Sequence, residues 1–217
     1  MDTVFIQTPK TLPVHVLGEP GPAIRQLWIA CHGYAQLASS FLEDLQALND
    51  GQTLIVCPEG SNYFYQKGFS GPVVANWMTR HNREHAIQDN AVYLQQVYDL
   101  FVSKLSPDVR IVLLGFSQGT ATVCRWVINK KPVFNDMVLW AGLPPEDLNY
   151  QEHASYFSDK NLYLIYGTND PFLTEDRMEL VKDIEEQGDL DFEEKTFQGG
   201  HEIPATTLKN LKDSLGN

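Results

Sequence analysis

The most constraining feature of the sequence is a pentapeptide that joins an apolar run to a helical pattern. Residues 115–119 read Gly-Phe-Ser-Gln-Gly and directly follow four aliphatic residues at 111–114. Apolar residues then recur at helical spacing over 120–129. Strand, tight turn and helix in this order form the context in which Gly-x-Ser-x-Gly lifts a serine hydroxyl clear of a sheet. Ser117 is therefore a candidate nucleophile, the alternative being an ordinary serine in a glycine-bounded turn.

The fold class follows from how the segments alternate along the chain. From about residue 27 onward, short β-prone runs alternate with helical patterns. This order predicts an α/β fold, with a mostly parallel central sheet and helices on both faces. A length of 217 residues fits one domain, 1–217. The segment between the strands predicted at 137–140 and 162–166 is short, so we expect a minimal cap or none.

Two regions near the N-terminus lead to more specific expectations. Residues 3–7 and 14–17 predict a pair of strands at an antiparallel edge, and serines are expected to cap a helix over 40–48. In residues 59–79 the apolar residues follow neither a helical nor a strand pattern for long, and several side chains are aromatic. These features predict a long functional loop. The other predicted strands are 27–31, 53–57, 137–140, 162–166 and 192–197, and the other predicted helices are 87–105, 120–129, 174–187 and a last one carrying Leu208, Leu211 and Leu215.

Charge and composition exclude several classes of partner. The chain carries 16 Lys and Arg against 28 Asp and Glu, a formal net charge of −12. This excess disfavours nucleic acid, polyanionic substrates and acidic membranes, and it favours neutral or cationic substrates. We see no apolar stretch near the ~20 residues of a membrane span and no secretory leader, so we expect no stable membrane insertion and a cytoplasmic protein. Three cysteines, Cys31, Cys57 and Cys124, lack metal-ligand spacing and are interpreted as reduced packing residues.

A serine nucleophile needs an imidazole to accept its proton and an acid to orient that imidazole. His201 follows the last predicted strand and Asp170 follows the strand at 162–166, so both lie at the sheet edge expected to hold Ser117. The rival base is His153, and the rival acids are Asp159, Asp189 and Asp191. These three aspartates precede predicted strands, so they are expected at the opposite edge of the sheet. The sequence therefore predicts a catalytic triad of Ser117, Asp170 and His201.

Acyl transfer also needs N–H donors for the oxyanion. The residue after the nucleophile, Gln118, supplies one backbone N–H, and the loop after an early strand supplies Tyr34 as the other. Gly33 permits close approach of this loop to the substrate. We interpret the neighbouring His32 as a structural residue that braces the loop rather than as a second base.

Four motifs occur in the order and spacing found in small α/β-hydrolase esterases: His32-Gly33-Tyr34, Gly115-Phe116-Ser117-Gln118-Gly119, Gly167-Thr168-Asn169-Asp170-Pro171 and Gly200-His201-Glu202-Ile203-Pro204. Over residues 27–204 the chain most resembles the carboxylesterase, lysophospholipase and acyl-protein thioesterase family. The resemblance implies an α/β-hydrolase fold and a serine hydrolase of carboxylic esters or thioesters. It also implies no cofactor, no metal, and the triad and oxyanion donors named above.

The substrate is the least constrained part of this interpretation. The resemblance places Asn76-Trp77 beside an acyl pocket, and we assign Trp77, Tyr65 and Phe69 as candidate substrate-binding residues for neutral, apolar acyl or aryl groups. The chain departs from the family at Tyr34-Ala35, at Gly119-Thr120 and at residues 57–60. These departures concern specificity more than catalysis. An apolar rim around such a pocket could also support a homodimer.

Three other functions remain open at this stage. The pattern His81-Asn82-Arg83-Glu84-His85 matches one class of zinc peptidase, provided that both histidines share a helical face. A serine peptidase or amidase would use the same triad on an amide. A non-catalytic ligand-binding protein on the same fold would normally lack a triad member.

Overall fold

The computed structural model describes residues 2–215. These residues form nine strands: β1 (Val14–Leu17), β2 (Gln26–Cys31), β3 (Thr53–Pro58), β4 (Asn62–Tyr65), β5 (Val73–Asn76), β6 (Arg110–Phe116), β7 (Asp136–Trp140), β8 (Asn161–Gly167) and β9 (Phe192–Phe197). They also form six α-helices: α1 (Ala38–Asp44), α2 (Arg83–Val102), α3 (Gln118–Lys130), α4 (Ala154–Phe157), α5 (Glu175–Gly188) and α6 (Ala205–Leu215). Short 3₁₀ helices span Gln46–Leu48 and Gln151–His153.

Seven strands form the central sheet, in the order β1-β3-β2-β6-β7-β8-β9. The edge strand β1 runs antiparallel to β3, and every other neighbouring pair in this sheet is parallel. The mostly parallel sheet predicted from the sequence is therefore confirmed. Because these strands are parallel, the loops that leave β2, β6, β7, β8 and β9 emerge at one edge of the sheet.

Both faces of the sheet are covered, as the continuous apolar runs of the strands require. On β2, Leu27, Ile29 and Cys31 pack into a core with α2 and α3, whereas Trp28 and Ala30 pack into a second core with α1 and α6. All five side chains are fully buried. The sheet is thus a rigid platform that holds the loops at its carboxyl edge.

The expected strand at residues 3–7 does not form. Val4 and Ile6 are each 81% exposed, and the position beside β3 is taken by β1. The β-prone side chains at 3–7 have no apolar surface to cover, so their propensity alone does not produce a strand.

Residues 59–79 are not simply a loop, because they contain a two-stranded antiparallel sheet. Strand β4 pairs with β5, from Asn62 opposite Asn76 to Tyr65 opposite Val73. Backbone hydrogen bonds from Gln66 N to Pro72 O and from Lys67 N to Ser70 O, both 3.0 Å, close the connection. The two strands contain three consecutive aromatic residues (63–65) and three consecutive apolar residues (73–75), so they lack the alternation of apolar and polar residues that indicates a strand.

Helix α1 begins earlier than expected and is not capped by a serine. Leu37 occupies the N-cap position, and the serines lie inside the helix. The buried carboxylate of Glu59 takes over the capping role: its Oε2 accepts a hydrogen bond from Ala38 N at 3.0 Å. A residue 21 positions away therefore satisfies the helix N-terminus.

No helix in the described part of the chain combines the length and the apolar character that crossing a membrane requires.

Candidate active site

Ser117 lies at the tight turn between β6 and α3. Its backbone adopts φ +53° and ψ −117°, a region that non-glycine residues rarely occupy. The turn is held by Ser117 N donating to Trp140 O at 2.9 Å and by Thr120 N donating to Ser117 O at 3.1 Å. Strained backbone held in place by its surroundings is common at functional sites.

The glycines of the pentapeptide allow the helix to approach the sheet. A Cβ added to Gly119 would lie 2.0 Å from Cys31 O on the neighbouring strand β2. A Cβ added to Gly115 would lie 2.5 Å from the backbone of Gly119. Both positions thus require glycine for steric reasons, and this close packing sets the position of Ser117.

Asp170 and His201 meet across the loops that follow β8 and β9. His201 Nδ1 lies 2.7 Å from Asp170 Oδ2, and the Asp170 side chain is fully buried. Asn169 N donates to Gly199 O at 2.9 Å, which ties the two loops together. Asp170 Oδ1 also accepts from Phe172 N at 2.9 Å, so both carboxylate oxygens have partners.

This pairing defines which nitrogen of His201 is available. An ionised carboxylate only accepts hydrogen bonds, so His201 Nδ1 donates to Asp170, and in the neutral imidazole the other ring nitrogen, Nε2, carries the lone pair. The imidazole ring packs between Phe116 at a centroid distance of 5.0 Å and Phe172 at 4.8 Å. The ring is therefore oriented by one hydrogen bond and two aromatic contacts.

Ser117 and His201 line the same cavity, which has a volume of about 540 Å³. Among the described residues, Ser117 Oγ makes no hydrogen bond with His201, whereas the His201–Asp170 bond is formed. Catalytic hydrogen bonds between nucleophile and base are often long before substrate binds. His153, the rival base, is not among the residues that line this cavity.

The two expected oxyanion donors are placed differently. Gln118 is the first residue of α3, where backbone N–H groups have no partner within the helix, and it lines the cavity. Tyr34 does not line the cavity: its side chain is exposed and packs on Phe64 at 5.4 Å. Its loop nevertheless passes beside Ser117, because a Cβ on Gly33 would lie 3.3 Å from Ser117 Cβ.

The side chain of Gln118 has a structural role that the sequence did not reveal. Its Oε1 accepts from Trp77 N at 3.0 Å and its Nε2 donates to Met78 O at 3.0 Å. These two hydrogen bonds attach the start of α3 to the segment that follows β5. The amide side chain thereby helps to hold its own backbone N–H beside the cavity.

The predicted substrate-binding aromatics do not line this cavity. Trp77 is fully buried, and its indole N–H donates to His32 O at 2.8 Å, so it is a core residue rather than a pocket wall. Tyr65 is half exposed on β4, and Phe69 is entirely exposed in the turn between β4 and β5. A role of these three residues in substrate binding therefore stays a prediction that the lining of this cavity does not support.

His32 braces the loop after β2, as expected from the sequence. The ring is completely buried, with Nδ1 2.8 Å from Gly33 O and Nε2 accepting from Gly60 N at 2.9 Å. These contacts require the neutral tautomer protonated on Nδ1. Burial lowers the pKa of His32, and the hydrogen bond to Gly33 and the charge of Glu59 only partly oppose that shift.

The cavity wall contains charged residues that sequence reasoning missed. Asp147 Oδ2 lies 2.7 Å from Arg83 Nη2, and Asp147 Oδ1 lies 2.7 Å from Arg125 Nη2. Burial alone would raise the pKa of Asp147, but these two guanidinium groups lower it. Arg125 lies two helical turns after Gln118 and so on the same face of α3, a spacing that could have indicated its position.

The zinc-peptidase alternative loses its geometric basis. Helix α2 begins at Arg83, and Asn82 before it adopts a left-handed conformation, so His81 does not share a helical face with His85. His85 instead packs on Phe5, with ring centroids 4.2 Å apart. Within residues 2–215, no three His, Cys, Asp or Glu side chains are grouped as a metal site.

An open, mostly parallel sheet with a strained serine turn and a histidine–carboxylate pair at its carboxyl edge defines an α/β hydrolase. Residues 14–217 match the phospholipase/carboxylesterase family, and the chain belongs to that family. It is a hydrolase of the phospholipase and carboxylesterase type.

Solved structures support the fold. Acyl-protein thioesterase 2 from Zea mays superposes with a TM-score of 0.68 at 17% identity, covering 94% of this chain and 97% of that one. Esterase PE8 superposes with a TM-score of 0.71 at 18% identity, covering 95% of this chain and 99% of that one. A carboxylesterase from Mesorhizobium loti superposes with a TM-score of 0.68 at 15% identity, covering 95% of each chain. No curated protein matches the sequence.

Proposed function

We propose that the protein is a serine hydrolase that cleaves carboxylic esters or thioesters through a covalent acyl-enzyme. The observation that carries this proposal is that His201, 2.7 Å from the buried Asp170, lines the same cavity as Ser117, which lies at a strained turn. In this proposal Ser117 is the nucleophile, His201 the general base and Asp170 the acid that orients it.

The first half of the reaction forms the acyl-enzyme. His201 Nε2 accepts the proton of Ser117 Oγ while that oxygen attacks the carbonyl carbon of the ester. The carbonyl oxygen becomes an oxyanion and accepts hydrogen bonds from the backbone N–H groups of Gln118 and Tyr34. When the intermediate collapses, the bond to the leaving alcohol or thiol breaks and His201 returns the proton to it.

The second half releases the acid. Water loses a proton to His201 Nε2 and attacks the acyl carbon, and the same two N–H groups bind the new oxyanion. Collapse breaks the bond to Ser117 Oγ, which takes the proton back from His201. The proposed reaction uses only groups of this chain and water, without a metal or a cofactor.

The substrate proposal follows the lining of the cavity. Its walls include apolar side chains that suit an aliphatic or aryl acyl group, namely Leu143, Leu173, Leu180, Val181 and Ile184. These residues come from the loop after β7, the loop after β8 and α5, whereas the sequence favoured the aromatic segment. Apolar contacts of this kind bind the acyl group and hold it in place for attack.

Turnover of a p-nitrophenyl ester series from acetyl to decanoyl tests this proposal. We expect Ser117→Ala to lower kcat/KM for every ester by at least about a thousandfold, because the acyl-enzyme cannot form. Ser40→Ala, an exposed serine on α1, is the matched control and should retain full activity. Equal turnover by wild type and Ser117→Ala would refute the assignment, and an anilide run alongside would reveal an amidase.

A further inference from the structure

The candidate active-site cavity is unusually rich in arginine. The chain contains six arginines, and three of them, Arg83, Arg125 and Arg177, line the cavity together with Ser117 and His201. Only two carboxylates, Glu146 and Asp147, line it as well. In a chain with a net charge of −12, this one cavity therefore has a surplus of positive charge.

Two of these arginines already share one acid. Asp147 accepts from Arg125 through both of its oxygens, at 2.7 and 3.3 Å, and from Arg83 at 2.7 Å. The ion pairs fix both side chains on the wall formed by α2, α3 and the loop after β7. The other carboxylate, Glu146, lines both this cavity and a second cavity along α5. Asp147 is thus committed to structural ion pairs.

Arg177 is different because no carboxylate neutralises it. Among the described residues, its guanidinium has no Asp or Glu within ion-pairing distance, and its one hydrogen bond runs from Nη1 to Phe172 O at 3.2 Å. The remaining N–H groups of its planar fork suit a carboxylate, which guanidinium binds in bidentate fashion. Arg177 is also exposed, so an incoming ligand can reach it.

The contact with Phe172 brings Arg177 close to the catalytic histidine. The ring of Phe172 packs on His201 at 4.8 Å, while its carbonyl oxygen holds Arg177. Arg177 lies in the first turn of the same helix, α5, that contributes Leu180 and Val181 to the apolar wall. An acyl group attached to Ser117 would therefore face both apolar side chains and a guanidinium group on the wall formed by α5.

We propose that the cavity binds esters whose acyl group is an apolar chain ending in a carboxylate, and that Arg177 binds that carboxylate. This inference rests on the proposed serine-hydrolase function and sharpens its substrate class. It departs from the neutral substrates favoured by net charge, because the local charge of a cavity decides binding more directly than the charge of the whole chain. The acyl group stays attached to Ser117 until deacylation, so the contact can act in both steps.

The test compares two esters that differ only in the terminal group, the p-nitrophenyl monoester of adipic acid and p-nitrophenyl hexanoate. We expect Arg177→Gln to lower kcat/KM for the adipate monoester by about tenfold, the loss typical of a hydrogen bond to a charged group. Turnover of hexanoate should change by less than about twofold, because its acyl chain makes no ionic contact with Arg177.

Two further variants separate charge recognition from folding. Arg177→Lys keeps the positive charge and should recover part of the adipate turnover. Lys182→Gln removes an exposed cation from the same helix outside the cavity, and it should leave both rates unchanged. If Arg177→Gln lowers kcat/KM equally for both esters, or for neither, the carboxylate assignment is wrong, but the proposed esterase function is still supported. If wild type hydrolyses neither ester, the proposed function itself fails.

Discussion

At the scale of single residues, two histidines at the same sheet edge have opposite roles that their hydrogen bonds define. His201 keeps one ring nitrogen available and lines the cavity, whereas both nitrogens of His32 are occupied by backbone groups. The sequence distinguished them because His32 precedes a loop glycine and His201 follows the last strand. The assignment of His201 as the base stays a prediction, whereas the bracing role of His32 is confirmed.

Burial of His32 predicts a specific dependence of stability on pH. Because the pKa of His32 is lowered in the folded protein, the unfolded chain takes up a proton first as the pH falls. The stabilising contribution is complete above the ordinary histidine pKa of about 6.5 and is lost below it. We expect the free energy of unfolding to fall as the pH is lowered below about 6.5, by up to about 1.4 kcal/mol per pH unit from this group.

Urea unfolding across this pH range, on wild type and on His32→Asn, measures the effect. The variant should be less stable at about pH 8, since it lacks the imidazole contacts, but its free energy should depend less steeply on pH. All carboxylates and the other histidines are common to both proteins, so their titration cancels in the difference. If the free energy of unfolding changes with pH equally in the two proteins, His32 is not kept neutral by burial.

At the scale of elements, the contact between α3 and β2 determines whether the serine turn can form. We expect Gly119→Ala to lower the free energy of unfolding by at least about 2 kcal/mol, because the new Cβ would lie 2.0 Å from Cys31 O. Displacement of α3 should also lower ester turnover, since Ser117 and the Gln118 N–H lie at its first turn. Thermal unfolding and kcat measured together check both effects.

Gly21→Ala is the matched control, because no atom lies within 4 Å of the Cβ it would add. Its effect on stability should stay below about 0.5 kcal/mol. An unfolding midpoint for Gly119→Ala equal to that of Gly21→Ala would show that α3 can shift without cost.

The elements differ in how far the sequence could predict them. Strands such as β2 were predictable because residues 27–31 form a continuous apolar run, and the structure buries all of them. The β4–β5 hairpin was not predictable, because its strands lack alternation of apolar and polar residues and carry aromatics typical of a functional loop. The cap of α1 was equally hidden, because Glu59 reaches Ala38 only after β3 has brought it there.

At the scale of the whole molecule, sheet topology explains why the triad could be predicted and the cavity could not. Parallel strands place their carboxyl ends at one edge, so chain order alone brings Ser117, Asp170 and His201 together as candidates. The cavity walls combine α5 with the loop after β7, segments whose contact depends on packing rather than on any local pattern. The positions of the candidate triad residues were therefore more predictable than the lining of the cavity. The catalytic roles of these residues, a homodimer, a cytoplasmic location and a single domain stay predictions.

Covalent labelling of Ser117 tests the central claim most directly. Incubation with the organophosphate diethyl p-nitrophenyl phosphate should transfer one diethylphosphoryl group to an activated serine, with release of p-nitrophenolate. Peptide mass mapping should locate that group on Ser117, in proportion to the loss of ester turnover, and Ser117→Ala should remain unlabelled. Full ester turnover by protein completely labelled at Ser117, or complete inactivation with the label on another residue, would contradict the account.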